Sequence, residues 1–142
     1  MVKGVPVELF SSNANPVRLM DRFWESHDLI MKALTTTSGP FSWEGRYFQY
    51  RNVNVYPPVY QRPHPPIWIP SGSPGSAREI AQRGYVLATF MVGYHAKTVF
   101  KAYREAYRSA FGREPALDRM AYLGLAVVGA SKQEARSRAD CV

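Results

Sequence analysis

Ile67-Trp68-Ile69-Pro70-Ser71-Gly72-Ser73-Pro74-Gly75-Ser76 is the stretch that decides the fold. Its first three residues form a short apolar run between prolines, which suits a buried strand. Residues 70–75 read as a tight loop, and residues 76–82 as a helix that Gly84 stops. A strand, a glycine–serine loop and a helix make one step of a parallel α/β sheet. At the C-terminal end of such a strand, the helix start presents unpaired N–H groups and the positive end of its dipole. Glycine lets the backbone come close and serine adds hydroxyl donors. Ser71, Gly72 and Ser73 are therefore candidate contacts for a phosphate dianion. Ser73 has an equal claim as the cap of the helix, with Pro74 at its first position. The two roles are compatible.

Working outward, residues 5–10 are short and apolar, consistent with a strand or an extended entry. Asn15 and Pro16 open a helix whose apolar face carries Leu19, Met20, Phe23, Trp24, Ile30, Met31 and Leu34, with His27 among them. Ser38-Gly39-Pro40 ends it. Residues 41–50 predict a small hairpin, in which Phe41-Ser42-Trp43 and Arg46-Tyr47-Phe48 flank Glu44-Gly45. A proline-rich connection leads to the decisive strand. Beyond it, residues 85–90 predict a second buried strand and residues 95–111 a second strong helix, with Val99, Phe100, Tyr103, Tyr107 and Ala110 inward and Gly112 as stop. Residues 120–128 predict a third strand, and Ser131 with Glu134 a capping box that begins another helix. The order is that of one α/β domain over residues 1–142, with residues 35–66 as an insertion.

Composition narrows the function. A chain of 142 residues with 46% hydrophobic and 20% charged residues is a folded domain and not a disordered one. The net charge of +7 is carried by cations scattered singly, without a run or a nucleic-acid motif. A solvated basic surface is the first reading, an anionic small ligand the second and nucleic acid the last. A single cysteine, Cys141, permits no disulfide framework or zinc cluster within the chain and suits a cytoplasmic protein. No apolar stretch is long enough to span a membrane, and no signal peptide is evident. His27, His64 and His95 fit core or surface roles. No paired carboxylates, metal-ligand spacing or nucleophile elbow stands out, so no catalytic residue and no metal site is assigned.

Read together, Phe41-Ser42-Trp43-Glu44-Gly45-Arg46-Tyr47-Phe48, Pro57-Pro58, Gln61-Arg62-Pro63-His64-Pro65-Pro66-Ile67-Trp68-Ile69 and Ser71-Gly72-Ser73-Pro74 resemble the luciferase-like flavin-dependent monooxygenase family. The helix with Arg22, Glu25 and Asp28, and the step from Val127-Val128-Gly129-Ala130-Ser131 to Glu134-Ala135, resemble that family too. The likeness covers nearly the whole chain. It implies an α/β fold of the (β/α)8 TIM-barrel type. Such barrels need about 250 residues, so this chain answers to the middle and later part of one. It also implies reduced FMN and oxygen acting on a small organic substrate, a separate flavin reductase, a homodimer, and no nucleic-acid or membrane partner. Ser71, Gly72 and Ser73 would approach the cofactor phosphate, although many members read Gly-Gly-Ser or Gly-Ser-Ser there. The catalytic groups would lie outside the chain. Residues 35–66 would cover the mouth of the site, with Trp43, Tyr47 and Phe48 as its wall, or else pack on the barrel or at a dimer contact. The same fold admits hydride transfer with a deazaflavin coenzyme. A non-catalytic remnant or binding module is the reading from another class.

Overall fold

Asn15 turns the chain into a helix. Its Oδ1 accepts from the Val17 N–H at 2.9 Å, and Pro16 occupies the first position, where no N–H is needed. The computed structural model describes Ser11, residues 15–90 and residues 93–140, so the expected strand at residues 5–10 and Cys141 lie outside the described residues. A 3-10 turn, Pro16–Arg18, leads into α1, Leu19–Thr35. The Thr35 and Thr36 hydroxyls donate back to the Met31 and Lys32 carbonyls and close the helix.

The next elements are β1, Phe41–Glu44, and β2, Gln49–Val53, which pair antiparallel with Trp43 opposite Tyr50 and Glu44 opposite Gln49. The hairpin expected at residues 41–50 is present, but its second arm starts later. Arg46, Tyr47 and Phe48 form the turn instead of a strand, closed by the Gly45 N–H on the Phe48 carbonyl at 2.9 Å. The reason is the Glu25 carboxylate, which takes the N–H groups of all three residues and so removes them from any ladder. Residues 54–67 hold no helix or strand, as their prolines dictate.

The chain divides into two compact units, Met1–Ile69 and Pro70–Val142. β3, Trp68–Pro70, spans the division. The second unit then alternates: α2, Pro74–Gln82; β4, Val86–Thr89; α3, Gly93–Phe111; β5, Met120–Tyr122; and α4, Lys132–Ala139. The strands form one sheet in the order β3-β4-β5, and β4 and β5 run parallel with Leu87, Ala88 and Thr89 opposite Met120, Ala121 and Tyr122. Both helices start two residues before the positions expected, because Pro74 and Gly93 are themselves helical. The core of this unit combines Ala77, Ile80 and Ala81 of α2, Val86 and Leu87 of β4, and Ala96, Val99, Ala102, Tyr103 and Tyr107 of α3. Alanines where α2 packs on α3 let the helices approach closely. The result is a mixed α/β fold. Among the described residues the sheet does not close into a barrel.

The third expected strand is shorter than its apolar pattern. Residues 120–128 were to form it, but β5 ends at Tyr122. Leu123 still donates its N–H to the Thr89 carbonyl at 2.9 Å. Beyond that point the backbone is taken by α4: Arg138 donates to the Val128 carbonyl at 3.0 Å, and Ala130 donates its N–H to Glu134 at 2.9 Å. Ser131 caps α4 by accepting from the Glu134 N–H, which completes the capping box foreseen.

One polar contact ties α3 to the start of β4. The Tyr103 hydroxyl, on a fully buried side chain, donates to the Tyr85 carbonyl at 2.6 Å. Burial first, and the neighbouring Tyr107 second, push the Tyr103 phenol up to about 12. The neutral form is thus the one the fold favours. Between the ordinary value of 10 and about 12 the unfolded chain loses its proton first, so this contribution is complete below pH 10 and is lost as pH rises toward 12. Tyr103→Phe leaves the Tyr85 carbonyl without its partner and is expected to cost about 1–3 kcal/mol in urea unfolding at neutral pH. The difference between the two proteins should shrink as pH passes 10. An unchanged difference at pH 11.5 contradicts the assignment.

Candidate functional site

Two adjacent carbonyls of β4 gather the strand ends. The Ser71 N–H donates to the Ala88 carbonyl at 2.8 Å, and the Leu123 N–H donates to the Thr89 carbonyl at 2.9 Å. The residues just past β3 and β5 are therefore fixed on either side of the end of β4. Two surfaces of different chemistry result at this edge.

The first is the loop Ser71-Gly72-Ser73 with the N-terminus of α2. The Ser71 Oγ accepts from the Ser73 N–H at 3.2 Å, and the Ser73 Oγ accepts from the Ser76 N–H at 3.2 Å. Ser73 is thus the helix cap, with Pro74 at the first position. Each serine oxygen already accepts, which leaves its O–H proton to donate outward. Ser71 is half-buried, while Gly72 and Ser73 are exposed. At Gly75 in the first turn an added Cβ would meet nothing within 4 Å, so the approach to the helix start is open. This donor set suits an oxygen-rich anion and offers little to a cation. The cap and phosphate readings of Ser73 coexist, because one uses the lone pair and the other the proton.

The second surface is an apolar cleft of about 480 Å3 lined by Phe90, Tyr122, Leu123, Gly124 and Leu125. All four large side chains are exposed, Leu125 at 99%. Sequence reasoning missed this cleft, since it placed residues 120–128 in a single strand. The signal was available: Gly124 interrupts the apolar run, and a glycine inside a strand pattern marks departure from the ladder.

A further group was missed in the first unit. Glu25 projects from α1 into the turn of the hairpin. Its carboxylate accepts from the N–H groups of Arg46 at 3.0 Å, Tyr47 at 3.0 Å and Phe48 at 2.9 Å, and from the Trp43 indole N–H at 3.4 Å. Three successive peptide N–H groups form a concave nest, and a carboxylate fills it. A Cβ added at Gly45 would collide with this carboxylate and with the Trp43 indole nitrogen, so any side chain there would displace the carboxylate. Desolvation raises the Glu25 pKa, but the donors of Phe48, Tyr47, Trp43 and Arg46 together outweigh it and hold the carboxyl below its ordinary value.

The remaining candidates resolve into local partners. The wall residues Trp43, Tyr47 and Phe48 are engaged around this buckle: the Phe48 ring lies nearly parallel to Tyr50 at 6.4 Å, and the Arg22 guanidinium lies 5.4 Å over its face. The Tyr47 hydroxyl is buried and, among the described residues, meets no partner. His27 is buried, its Nδ1–H donating to Asp28 at 2.8 Å with its ring edge-on to Trp24. The His64 Nδ1–H donates to the Pro65 carbonyl at 2.7 Å. His95 is exposed in the first turn of α3, its ring 4.1 Å from that of Tyr94. Among the described residues no group of His, Cys, Asp and Glu could hold a metal ion, and no helix is long and apolar enough to cross a membrane.

The chain matches the family described as luciferase-like monooxygenase over residues 4–141. It belongs to that family. An uncharacterized protein, y4wF, of Sinorhizobium fredii is 33% identical over 140 residues, covering 96% of this luciferase-like chain and 39% of the relative. Among solved structures, the monooxygenase RslO1 from Streptomyces bottropensis superposes with a TM-score of 0.78 at 22% identity, over 97% of this chain and 42% of that one. The oxygenating constituent of 3,6-diketocamphane monooxygenase from the CAM plasmid of Pseudomonas putida, a type II Baeyer-Villiger monooxygenase in complex with FMN, gives 0.72 at 20% identity, over 94% and 40%. This luciferase-like chain spans about two fifths of the length of the relatives it matches.

The buckle yields a test of its own. Glu25→Gln keeps the size but weakens the acceptor, and Gly45→Ala displaces it. Both are expected to speed hydrogen exchange at the amides of residues 46–48 while leaving those of α3 unchanged. Because the Glu25 pKa is depressed, its contribution is complete above the ordinary value of 4.5 and is lost as pH falls through the lower folded value. Wild-type exchange at these amides, corrected for its intrinsic pH dependence, should therefore rise on acidification below 4.5. Equal protection in wild type and both variants rules the nest out.

Proposed function

We propose that this chain supplies the cofactor-phosphate edge of a flavin-dependent monooxygenase, one that uses reduced FMN and oxygen to oxygenate a small organic substrate. The observation that carries this reading is the juxtaposition at the end of β4: a loop of outward-donating serine hydroxyls beside an apolar cleft. Family membership supports it, and so does the FMN held by the Pseudomonas putida relative. In this reading β3, β4 and β5 with their helices are a sector of a (β/α)8 barrel, whose ligands bind at the C-terminal ends of the strands.

Bound reduced flavin supplies the electrons that activate oxygen. The residues of this chain hold and shelter it. Ser71 and Ser73 donate their hydroxyl protons to the phosphate oxygens, Gly72 allows close approach, and the start of α2 adds its positive dipole end. Phe90, Tyr122, Leu123 and Leu125 offer apolar walls to the organic part of a ligand and exclude water from it. Within residues 35–66 the Glu25 nest sets the shape of the hairpin turn. A separate reductase delivers the reduced cofactor, and the working protein is a homodimer. The acid–base groups of the reaction come from outside this chain.

Ser73 permits a clean test, because aspartate caps a helix as well as serine does but repels a phosphate. Ser73→Asp is expected to keep the melting temperature while weakening FMN binding about tenfold or more, with riboflavin binding unchanged. Ser71→Ala should weaken FMN by a smaller factor in the same direction. Fluorescence titration of the protein with FMN, riboflavin and a deazaflavin coenzyme reads all three. Undiminished FMN affinity in Ser73→Asp refutes the phosphate contact, and preference for the deazaflavin moves the protein to hydride transfer.

A further inference from the structure

The cleft at the end of β4 has a lining that narrows what it can hold. Phe90, Tyr122, Leu123, Gly124 and Leu125 carry no charge. The chain has 18 lysines and arginines and a net charge of +7, yet among the described residues none of these cations lines the cleft. The Leu123 N–H, which could otherwise meet an anion, is already bonded to the Thr89 carbonyl. The Tyr122 hydroxyl is the single polar side-chain group on the walls. The side chains thus offer a ligand one hydrogen-bonding group and no ion pair.

The strand register adds a shape. Tyr122 is the partner of Thr89, so the Tyr122 and Phe90 rings come from adjacent strand ends. A Cβ added at Gly124 would stand 3.1 Å from the Tyr122 ring, so that ring lies close along the Gly124 backbone. Two aromatic rings and two leucines around about 480 Å3 suit a small organic ligand of one or two rings. A stable protein contact takes roughly 20–30 residues a side, far more than this lining supplies. A carboxylate or sulfonate buried there would lose its water and find no cation in return, which is strongly unfavourable.

We propose that the substrate of this site is an uncharged, apolar ring compound, held by Phe90, Tyr122, Leu123 and Leu125 and free of acid groups. The inference rests on the flavin reading and deepens it. The probes are 2-acetylnaphthalene and 2-naphthoate, which share a ring system and a similar outline but differ by one charge. Equilibrium dialysis against the full chain at neutral pH measures both, and FMN is titrated into the same samples. The neutral probe is expected to bind about tenfold tighter than the anion or more. Leu125→Lys sets a cation beside the cleft from an exposed position, so it should narrow or reverse that preference at an unchanged melting temperature. Phe90→Ala should weaken the neutral probe about tenfold. Where FMN binds but the two probes bind equally, or neither binds, or Leu125→Lys leaves the preference as it was, the substrate class is overturned and the flavin reading stands. Where FMN does not bind, the flavin reading falls and takes the substrate role of the cleft with it. Loss of the neutral probe as the chain self-associates, read by sedimentation, assigns the cleft to a second copy and overturns the proposal as well.

Discussion

The carbonyls of Ala88 and Thr89 at the end of β4 are the constraint on which the candidate site depends. Each accepts an N–H from a residue that has just left a neighbouring strand, Ser71 on one side and Leu123 on the other. A short central strand thereby fixes two loops that are more than fifty residues apart in sequence. β4 can act so because it is held from several directions. Leu87 and Thr89 are almost wholly buried, and Tyr103 is bonded to the carbonyl of Tyr85 just before the strand. Polar donors and apolar walls meet at this edge because the strand register leaves them no other place.

The first unit follows a different rule. Its hairpin is short and mostly exposed, and two-stranded hairpins are marginal by themselves. Stability there comes from a side chain that replaces missing backbone partners. Glu25 satisfies three N–H groups that a tight turn leaves unpaired, much as a capping residue satisfies the start of a helix. A charged acceptor makes stronger hydrogen bonds than a neutral one, which fits a half-buried position.

Much of this was legible in the sequence. Asn15–Pro16, Ser73–Pro74 and Ser131–Glu134 marked three helix starts, because capping is a local interaction with a fixed spacing. Strands β3 and β4 were legible from their apolar runs between breakers, although in β3 only Ile69 is buried and Trp68 is exposed. The arm at Arg46–Phe48 was misplaced because its fate is set by a residue more than twenty positions earlier, which no local pattern reveals. The third strand was drawn too long for a related reason. The run at residues 123–128 has strand composition, but its far end is bonded to α4, with the Val128 carbonyl on Arg138 and the following Ala130 N–H on Glu134. At the candidate site, the Ser71–Ser73 loop could be named from sequence. The cleft beside it could not, since it exists only once β4 and β5 are laid together.

Gly45 and Glu25 deserve to be viewed as one position written in two places. The glycine leaves the space that the carboxylate fills, and the carboxylate supplies the partners that the glycine turn lacks. Substitution at either is judged by what stands at the other, so their effects will not add. A lineage that loses the glutamate frees the glycine to drift, and one that loses the glycine leaves the glutamate without a function. Gly45 and Glu25 are therefore expected to change together. The outline of the turn can change only by a step that passes through both.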